Sequence, residues 1–146
     1  MSCVKGAVEE IFFVRWVVPE IDDARAIVDD VRCLREQVGR PVRYVAIIGP
    51  DVDPPNEDVR SSMRQNIDDL LRHCSSVHIV IEAKDVRRAM ARNIGSSIFL
   101  PTKDRGRTYA HDNVQQALER IGMIGPEAEE VLERARARNL LSSPAA

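Results

Sequence analysis

Residues 41–83 read PVRYVAIIGPDVDPPNEDVRSSMRQNIDDLLRHCSSVHIVIEA. The segment begins with a near-continuous apolar run, 42–48, which is typical of a strand buried on both faces of a parallel sheet. After a polar loop, apolar side chains recur at spacings of three and four, as on one face of a helix. A second apolar run, 77–83, follows the two serines that end this helix. A strand, a helix and a strand in this order indicate an α/β domain with a mainly parallel sheet.

The residues before this segment extend the same alternation. Residues 9–18, EEIFFVRWVV, are rich in β-branched and aromatic side chains and predict a strand. A helix follows, with Pro19 at its start and Gly39 at its end, and Cys33 is expected among its core residues. Residues 1–8 show no such pattern and are expected to be flexible.

The residues after 83 predict further elements of the same kind. A helix over 84–93 is expected to turn Val86 and Met90 inward and to end at the run Gly95-Ser96-Ser97. A short strand, 107–111, and a helix capped by Asp112 come next. The predicted architecture is one domain over 9–122 with a four- or five-stranded sheet, an extra C-terminal helix within 123–141 and a disordered tail, 142–146.

Composition excludes several classes of protein. The chain has 146 residues, 44% of them hydrophobic and 30% charged, with a net charge of −2. These values are typical of one globular domain, and they argue against a general nucleic-acid-binding surface or a membrane span. Three widely spaced cysteines do not form a disulfide framework, which favours a reducing, cytoplasmic compartment. The preference for arginine over lysine is typical of GC-rich bacteria.

No motif for a catalytic or cofactor site is present. The sequence contains no phosphate-binding loop, no nucleophile elbow and no zinc-ligand spacing, so neither a cofactor nor a metal is predicted. The best polar candidates are Asp51, Asp53 and Asn56, because they follow a predicted strand at the edge where α/β domains bind ligands. The competing interpretation is a turn and a helix cap.

Two further groups are candidate sites. Ser61 and Ser62 lie near the start of a predicted helix, where a phosphate group would be stabilised, so they are candidate phosphorylation sites. Basic side chains recur along the predicted helix from residue 84 and in the turn after it, and they predict a surface for an acidic protein partner. These residues are Lys84, Arg87, Arg88, Arg92, Arg105 and Arg107. The competing interpretation is a solvated face paired with local acids.

The layout resembles the STAS or SpoIIAA-like domains of anti-sigma factor antagonists. The resemblance lies in the strand with Trp16, the strand over 42–48 followed by a polar loop and a helix, and the closing run RTYAHDNVQQALERI. It implies a SpoIIAA-like fold that works by binding another protein. The family's phosphorylated turn carries a serine or threonine directly after the strand, whereas this chain has GPDVDPPN at that place, 49–56.

The sequence therefore predicts a non-enzymatic, cytoplasmic regulatory or protein-interaction domain. A small-molecule or lipid-binding domain that uses the loop over 49–56 is the first alternative. A structural subunit of a larger assembly, a homo-oligomer and an enzyme that uses Asp51 or Asp53 are further alternatives.

Overall fold

The computed structural model describes residues 2–99 and 105–142, the side chains of Ser97, Phe99 and Arg105 excepted. In chain order the elements are β1 (Cys3–Val8), β2 (Ile11–Trp16), α1 (Asp23–Val38), β3 (Val42–Ile48), α2 (Glu57–Arg72), β4 (Cys74–Ile81), α3 (Asp85–Phe99), a 3-10 turn (Arg105–Arg107), β5 (Thr108–His111), α4 (Val114–Ile121) and α5 (Pro126–Ala137).

The strands form one five-stranded sheet in the sequential order β1-β2-β3-β4-β5. Strands β2 to β5 run parallel, and β1 pairs antiparallel with β2. The predicted α/β class with a mainly parallel sheet is confirmed at this level.

The helices cover the two faces of the sheet unequally. Because each parallel crossover is right-handed and joins neighbouring strands in the same direction, successive helices fall on the same face. Helices α1, α2 and α3 accordingly share one core with the sheet, here called the three-helix face. Helices α4 and α5 share a second core on the opposite side, the two-helix face.

The first strand covers Cys3–Val8, where no strand was predicted from the sequence. Strand β1 pairs with β2 along its whole length, from Cys3 opposite Trp16 to Val8 opposite Ile11. The turn between them is Glu9-Glu10, with Glu9 at φ 55°, and it lacks the asparagine or glycine that signals a hairpin in a sequence. The pairing with β2 holds the strand, and Lys5 adds an ion pair of 2.7 Å with Asp30 on α1.

The third helix is longer than predicted and has a different face inward. It continues through Gly95 to Phe99, so the expected break at 95–97 is wrong. Val86 is 73% exposed, which corrects its expected inward orientation, whereas Met90, 45% exposed, lies at the edge of the inward side. The buried side is formed by Ile94 and Ile98 near the C-terminal end of α3.

Two smaller predictions are also corrected. Cys33 is exposed, because the apolar stripe of α1 runs through Val31 and Leu34 and leaves it to one side. Helix α4 is capped by Asn113, whose side-chain oxygen accepts from the Gln116 amide at 2.9 Å, and not by Asp112.

The C-terminal helix packs against the sheet. Its buried side chains, Ala128, Val131 and Ala135, join the core of the two-helix face. After α5, Arg138 donates to the Ala7 carbonyl and Arg15 donates to the Asn139 carbonyl at 3.1 Å. Apart from Ser142, the predicted disordered tail lies outside the described residues.

Candidate functional site

An apolar cavity of about 280 Å³ lies on the three-helix face, between the sheet and helices α1 to α3. Its floor is formed by β2, β3 and β4, and its walls by the three helices. It is lined by Trp16, Pro19, Ala24, Ile27, Val28, Tyr44, Ala46, Ile48, Val52, Asp53, Pro54, Pro55, Met63, Asn66, Ile67, Leu70, Ile79, Ala83, Arg87, Met90, Ala91, Ile94, Gly95 and Ile98.

The cavity exists because small residues occur where larger ones would fill the core. Ala46 and Ala83 come from the sheet side, and Ala24, Ala91 and Gly95 from the helices. A Cβ atom added at Gly95 would meet no atom within 4 Å, so the space beside this glycine is open. The cavity opens to solvent at its rim, where Asp53, Arg87 and Met90 are exposed, while its floor lies among buried side chains of the sheet.

The loop between β3 and α2 covers one side of the cavity. Val52 and the two prolines, Pro54 and Pro55, line it from this loop. The loop is connected to α3 by Arg87, which donates to the Pro50 carbonyl at 3.3 Å and lies 3.7 Å from the Asp53 carboxylate. The loop after the strand over 42–48 therefore forms part of the cavity wall, and its binding of a ligand stays a prediction.

Of the three loop residues predicted from the sequence, one lines the cavity. Asp53 does so, although its side chain is 88% exposed and stands at the rim. Asn56 is the N-cap of α2, and its side-chain oxygen accepts from the Val59 amide at 3.0 Å. Asp51 is exposed and is not among the lining residues. The capping interpretation therefore holds for Asn56.

Few polar groups reach the cavity. Tyr44 is buried on β3, and burial raises the pKa of its hydroxyl, which stays neutral. Asn66 lies on α2, where its amide nitrogen donates to the Ser62 carbonyl at 2.8 Å. Together with Asp53 and Arg87 at the rim, these groups can orient the polar end of a ligand, while the rest of the wall offers only apolar contacts.

The predicted basic surface is largely paired with acids of the same chain. Arg87 lies beside Asp53, as described, and Asp112 lies 3.3 Å from Arg88 and 3.6 Å from Arg92. Lys84 is exposed at the start of this group. The pairing supports the solvated-face interpretation, and binding of an acidic partner stays a prediction.

The predicted surface also includes the two arginines of the following turn. Arg107 donates to the carbonyl of Cys74 at 2.5 Å and to that of Leu71 at 3.1 Å, so its guanidinium joins the end of α2 to the start of β4. The side chain of Arg105 lies outside the described part of the chain.

The candidate phosphorylation sites lie on α2, past its first turn. Ser62 donates to the Ile21 carbonyl at 2.7 Å, and Ser61 lines a shallow surface depression with Arg25 and Asp58. Both serines are half-buried. Their phosphorylation stays a prediction.

Of the residues of α3 that form the cavity wall, Met90 was predicted from the sequence to face inward, whereas Ala91, Gly95 and Ile98 were not identified. Met90, Ala91, Ile94, Gly95 and Ile98 all line the cavity. The available signal was the spacing of Met90, Ile94 and Ile98, each four residues apart, which continues through the glycine.

Comparison with family models, curated proteins and solved structures finds no significant match to this chain. Within residues 2–99 and 105–142, no group of three or more histidine, cysteine, aspartate or glutamate side chains is placed to hold a metal ion. None of the described helices is both long and apolar enough to cross a membrane.

Proposed function

We propose that this protein binds an apolar small molecule, such as the hydrocarbon chain of a lipid, in the cavity of the three-helix face. The cavity of about 280 Å³ carries the proposal, because it is continuous and its lining is almost entirely apolar. Ligand pockets typically combine such a lining with a few polar groups that fix the orientation of the ligand.

The energetics favour an apolar ligand. Transfer of apolar surface out of water contributes about 25 cal/mol for each Å² buried. A cavity lined by aliphatic side chains offers water few partners, so a hydrocarbon group competes well for the space. A strongly polar molecule would lose its hydration and find hydrogen-bonding groups mainly at Asp53, Asn66 and Arg87.

The rim offers a route into the cavity. Met90 lines it and is 45% exposed, so the cavity reaches the surface at α3. The ion pair that joins α3 to the loop, Arg87 with Asp53, is exposed on both sides and long at 3.7 Å. Exposed pairs of this kind contribute little free energy. The polar contacts that a ligand must break to displace the loop are therefore this pair and the hydrogen bond from Arg87 to the Pro50 carbonyl.

The regulatory role, the SpoIIAA-like identity, the bacterial origin and the cytoplasmic location stay predictions from the sequence. The ligand-binding proposal does not depend on them. A sensor domain that passes ligand occupancy to a protein partner would satisfy both, with the loop over 49–56 as the element that the ligand contacts.

Filling the cavity tests the proposal. We expect the dye ANS and oleate to bind the wild-type protein saturably. Gly95→Leu places a side chain in open space and Ala46→Leu raises the floor from a different element, so each should weaken binding by at least about tenfold, the order of 1.4 kcal/mol. Gly95→Ala is the matched control, because it changes the same position without filling the cavity.

The outcomes separate clearly. Weakened binding in both leucine variants, with retained binding in Gly95→Ala, supports the proposal. Equal binding by all four proteins would place the dye elsewhere and overturn it, as would the absence of saturable binding to the wild type. Native mass spectrometry of the protein purified from its own cells would identify a bound molecule directly.

A further inference from the structure

A cluster of histidine and arginine side chains lies on the two-helix face, opposite the cavity. Its centre is His78 on β4, which is 1% exposed. The Nδ1 atom of His78 lies 2.9 Å from Nε2 of His111 on β5, and its Nε2 atom lies 2.8 Å from the Ser76 hydroxyl. The His78 ring also stacks on Tyr109, with 5.3 Å between ring centroids.

Two guanidinium groups adjoin these rings. Arg43 on β3 donates to the Ile121 carbonyl at the end of α4, at 3.0 Å. Arg120, the residue before it on α4, holds its guanidinium carbon 4.4 Å from the centroid of the Tyr109 ring. A guanidinium group has five N–H donors, so each of these contacts leaves N–H groups of Arg43 and Arg120 available to a further acceptor.

The positive charge of this cluster is not balanced by nearby carboxylates. Within the described residues, no carboxylate lies within ion-pair distance of Arg43 or Arg120. Asp112 is the acid that acts on His111, and it is already paired with Arg88 and Arg92. In agreement with this balance, burial and then the charges of His111, Arg43 and Arg120 lower the pKa of His78.

We propose that this cluster binds an oxyanion, either free phosphate or sulfate or the phosphate group of a larger molecule. The donors for it are the second ring nitrogen of His111 and the guanidinium groups of Arg43 and Arg120, since both ring nitrogens of His78 already contact His111 and Ser76. Guanidinium groups match the geometry of phosphate and sulfate oxygens, and hydrogen bonds to a charged acceptor are among the strongest in proteins. The site is open to solvent, because Arg120 is exposed and His111 and Tyr109 are only half-buried.

The opposing interpretation is purely structural. In that case Arg43 caps the last carbonyls of α4, Arg120 packs on an aromatic ring, and no anion is required. The two interpretations differ in one measurable consequence. A bound anion opposes the effect that Arg120 has on His111, so it raises the pKa of the His111 imidazole, whereas a structural cluster is indifferent to the anion.

Histidine ring signals in NMR spectra test the proposal. We would titrate pH with and without inorganic phosphate, keeping ionic strength constant with sodium chloride. We expect phosphate to raise the pKa of His111 and to shift the His78 and His111 signals saturably. His73, at the C-cap of α2 on the other side of the sheet, is an internal reference that should not respond.

Two variants make the test specific. Arg120→Gln removes an exposed cation and should weaken phosphate binding by at least about tenfold, the order expected when one charge-assisted hydrogen bond is lost. Arg136→Gln, an exposed arginine of α5, changes net charge equally and should leave the affinity unchanged. Sulfate and phenyl phosphate in place of phosphate distinguish a free oxyanion from the phosphate group of a larger molecule.

Three results would overturn the proposal. They are the absence of a saturable response in the wild type, an equal response in Arg120→Gln, and an equal loss in Arg136→Gln. The variants' amide spectra show whether the fold is retained, and His111→Asn provides a second, independent removal of a donor if Arg120→Gln disturbs Tyr109. Because the cluster and the cavity lie on opposite faces, either proposal can fail without the other.

Discussion

The two faces of the sheet are built from the same strands, but their side chains fill the space beside the sheet to different extents. On the three-helix face, alanine and glycine at facing positions leave an apolar cavity of about 280 Å³. On the two-helix face, large side chains such as Phe13, Ile47 and Leu118 are fully buried against α4 and α5. The spare volume therefore lies on the three-helix face, where it can hold a ligand.

The faces also differ in buried polar groups: the face with the cavity has few, and the more fully packed face has a buried histidine. The cavity, on the face with spare volume, has almost no buried polar group. The two-helix face contains the imidazole of His78, which is 1% exposed, whereas the three-helix face buries the hydroxyl of Tyr44. Each face therefore carries one departure from a uniform core, a void on one side and a titratable group on the other, and each departure marks a candidate site.

The largest expected effect on stability comes from removing a large buried side chain from the two-helix face. Phe13→Ala should lower the free energy of unfolding by about 3–5 kcal/mol, because the vacated volume cannot collapse among buried neighbours. Met63→Ala, on a partly buried residue that already borders the cavity, should cost about 2 kcal/mol or less. Urea denaturation with unchanged m-values measures both. Equal losses in the two variants would contradict the unequal packing of the faces.

Because His78 is buried on the two-helix face, we expect the stability of the protein to depend on pH. In the folded protein the pKa of His78 is lowered to about 4, mainly by burial, from 6.5 in the unfolded chain. Above pH 6.5 both states are neutral and stability is at its full value. As pH falls towards 4 the unfolded state binds a proton that the folded state does not, so stability is lost, by roughly 3 kcal/mol in all.

Comparison with His78→Phe isolates this contribution from that of the carboxylates. The variant lacks the titratable group, so its stability should fall less steeply between pH 6.5 and 4 than that of the wild type. The difference between the two pH profiles, from chemical denaturation, is the quantity to measure. Parallel profiles would mean that His78 accepts a proton in the folded protein near its ordinary pKa.

Much of the fold was accessible from periodicity alone. The strand over 42–48 and the helix within 57–72 were predictable because each is long, strongly patterned and bounded by proline or serine. Strand β1 was not, since its turn has no local signal and its further contacts, with Asp30 and Arg138, come from residues far away in sequence. Gly95 was misinterpreted as a break because glycine propensity, a local quantity, is overridden by burial of Ile94 and Ile98 on either side.

The candidate sites were less accessible, and for a physical reason. A cavity forms where large side chains are absent, and the small residues that leave it open come from elements that are distant in the sequence. Asp53 could be placed near a ligand edge by the rule for parallel sheets, and it does lie at the rim. The pairing of His78 with His111 requires the register between β4 and β5, which no pattern in the sequence specifies.

Adding volume on each face sharpens the comparison further. Ala117→Leu, on a fully buried residue of α4, should lower stability by about 1–3 kcal/mol through overpacking. Ala46→Leu, at the cavity floor, should cost less than about 1 kcal/mol, because the added carbon atoms enter open space. Thermal unfolding of the ligand-free proteins gives the ranking. A larger loss in Ala46→Leu would show that the cavity closes in solution.

The smallest expected effect compares two glycines. Gly95, inside α3, has open space where a Cβ would lie, so Gly95→Ala should raise the free energy of unfolding by about 0.5–1 kcal/mol through helix propensity. At Gly6 on β1, an added Cβ would lie 2.6 Å from a guanidinium nitrogen of Arg138, which must then move away from the Ala7 carbonyl. Loss of that hydrogen bond offsets the gain from a stiffer unfolded chain, so Gly6→Ala should leave stability within about 0.5 kcal/mol of the wild type. If Gly6→Ala raised the free energy of unfolding as much as Gly95→Ala, the contact between Arg138 and β1 would contribute nothing to stability. The two-helix face would then be less tightly packed at its edge, at β1, than in its core.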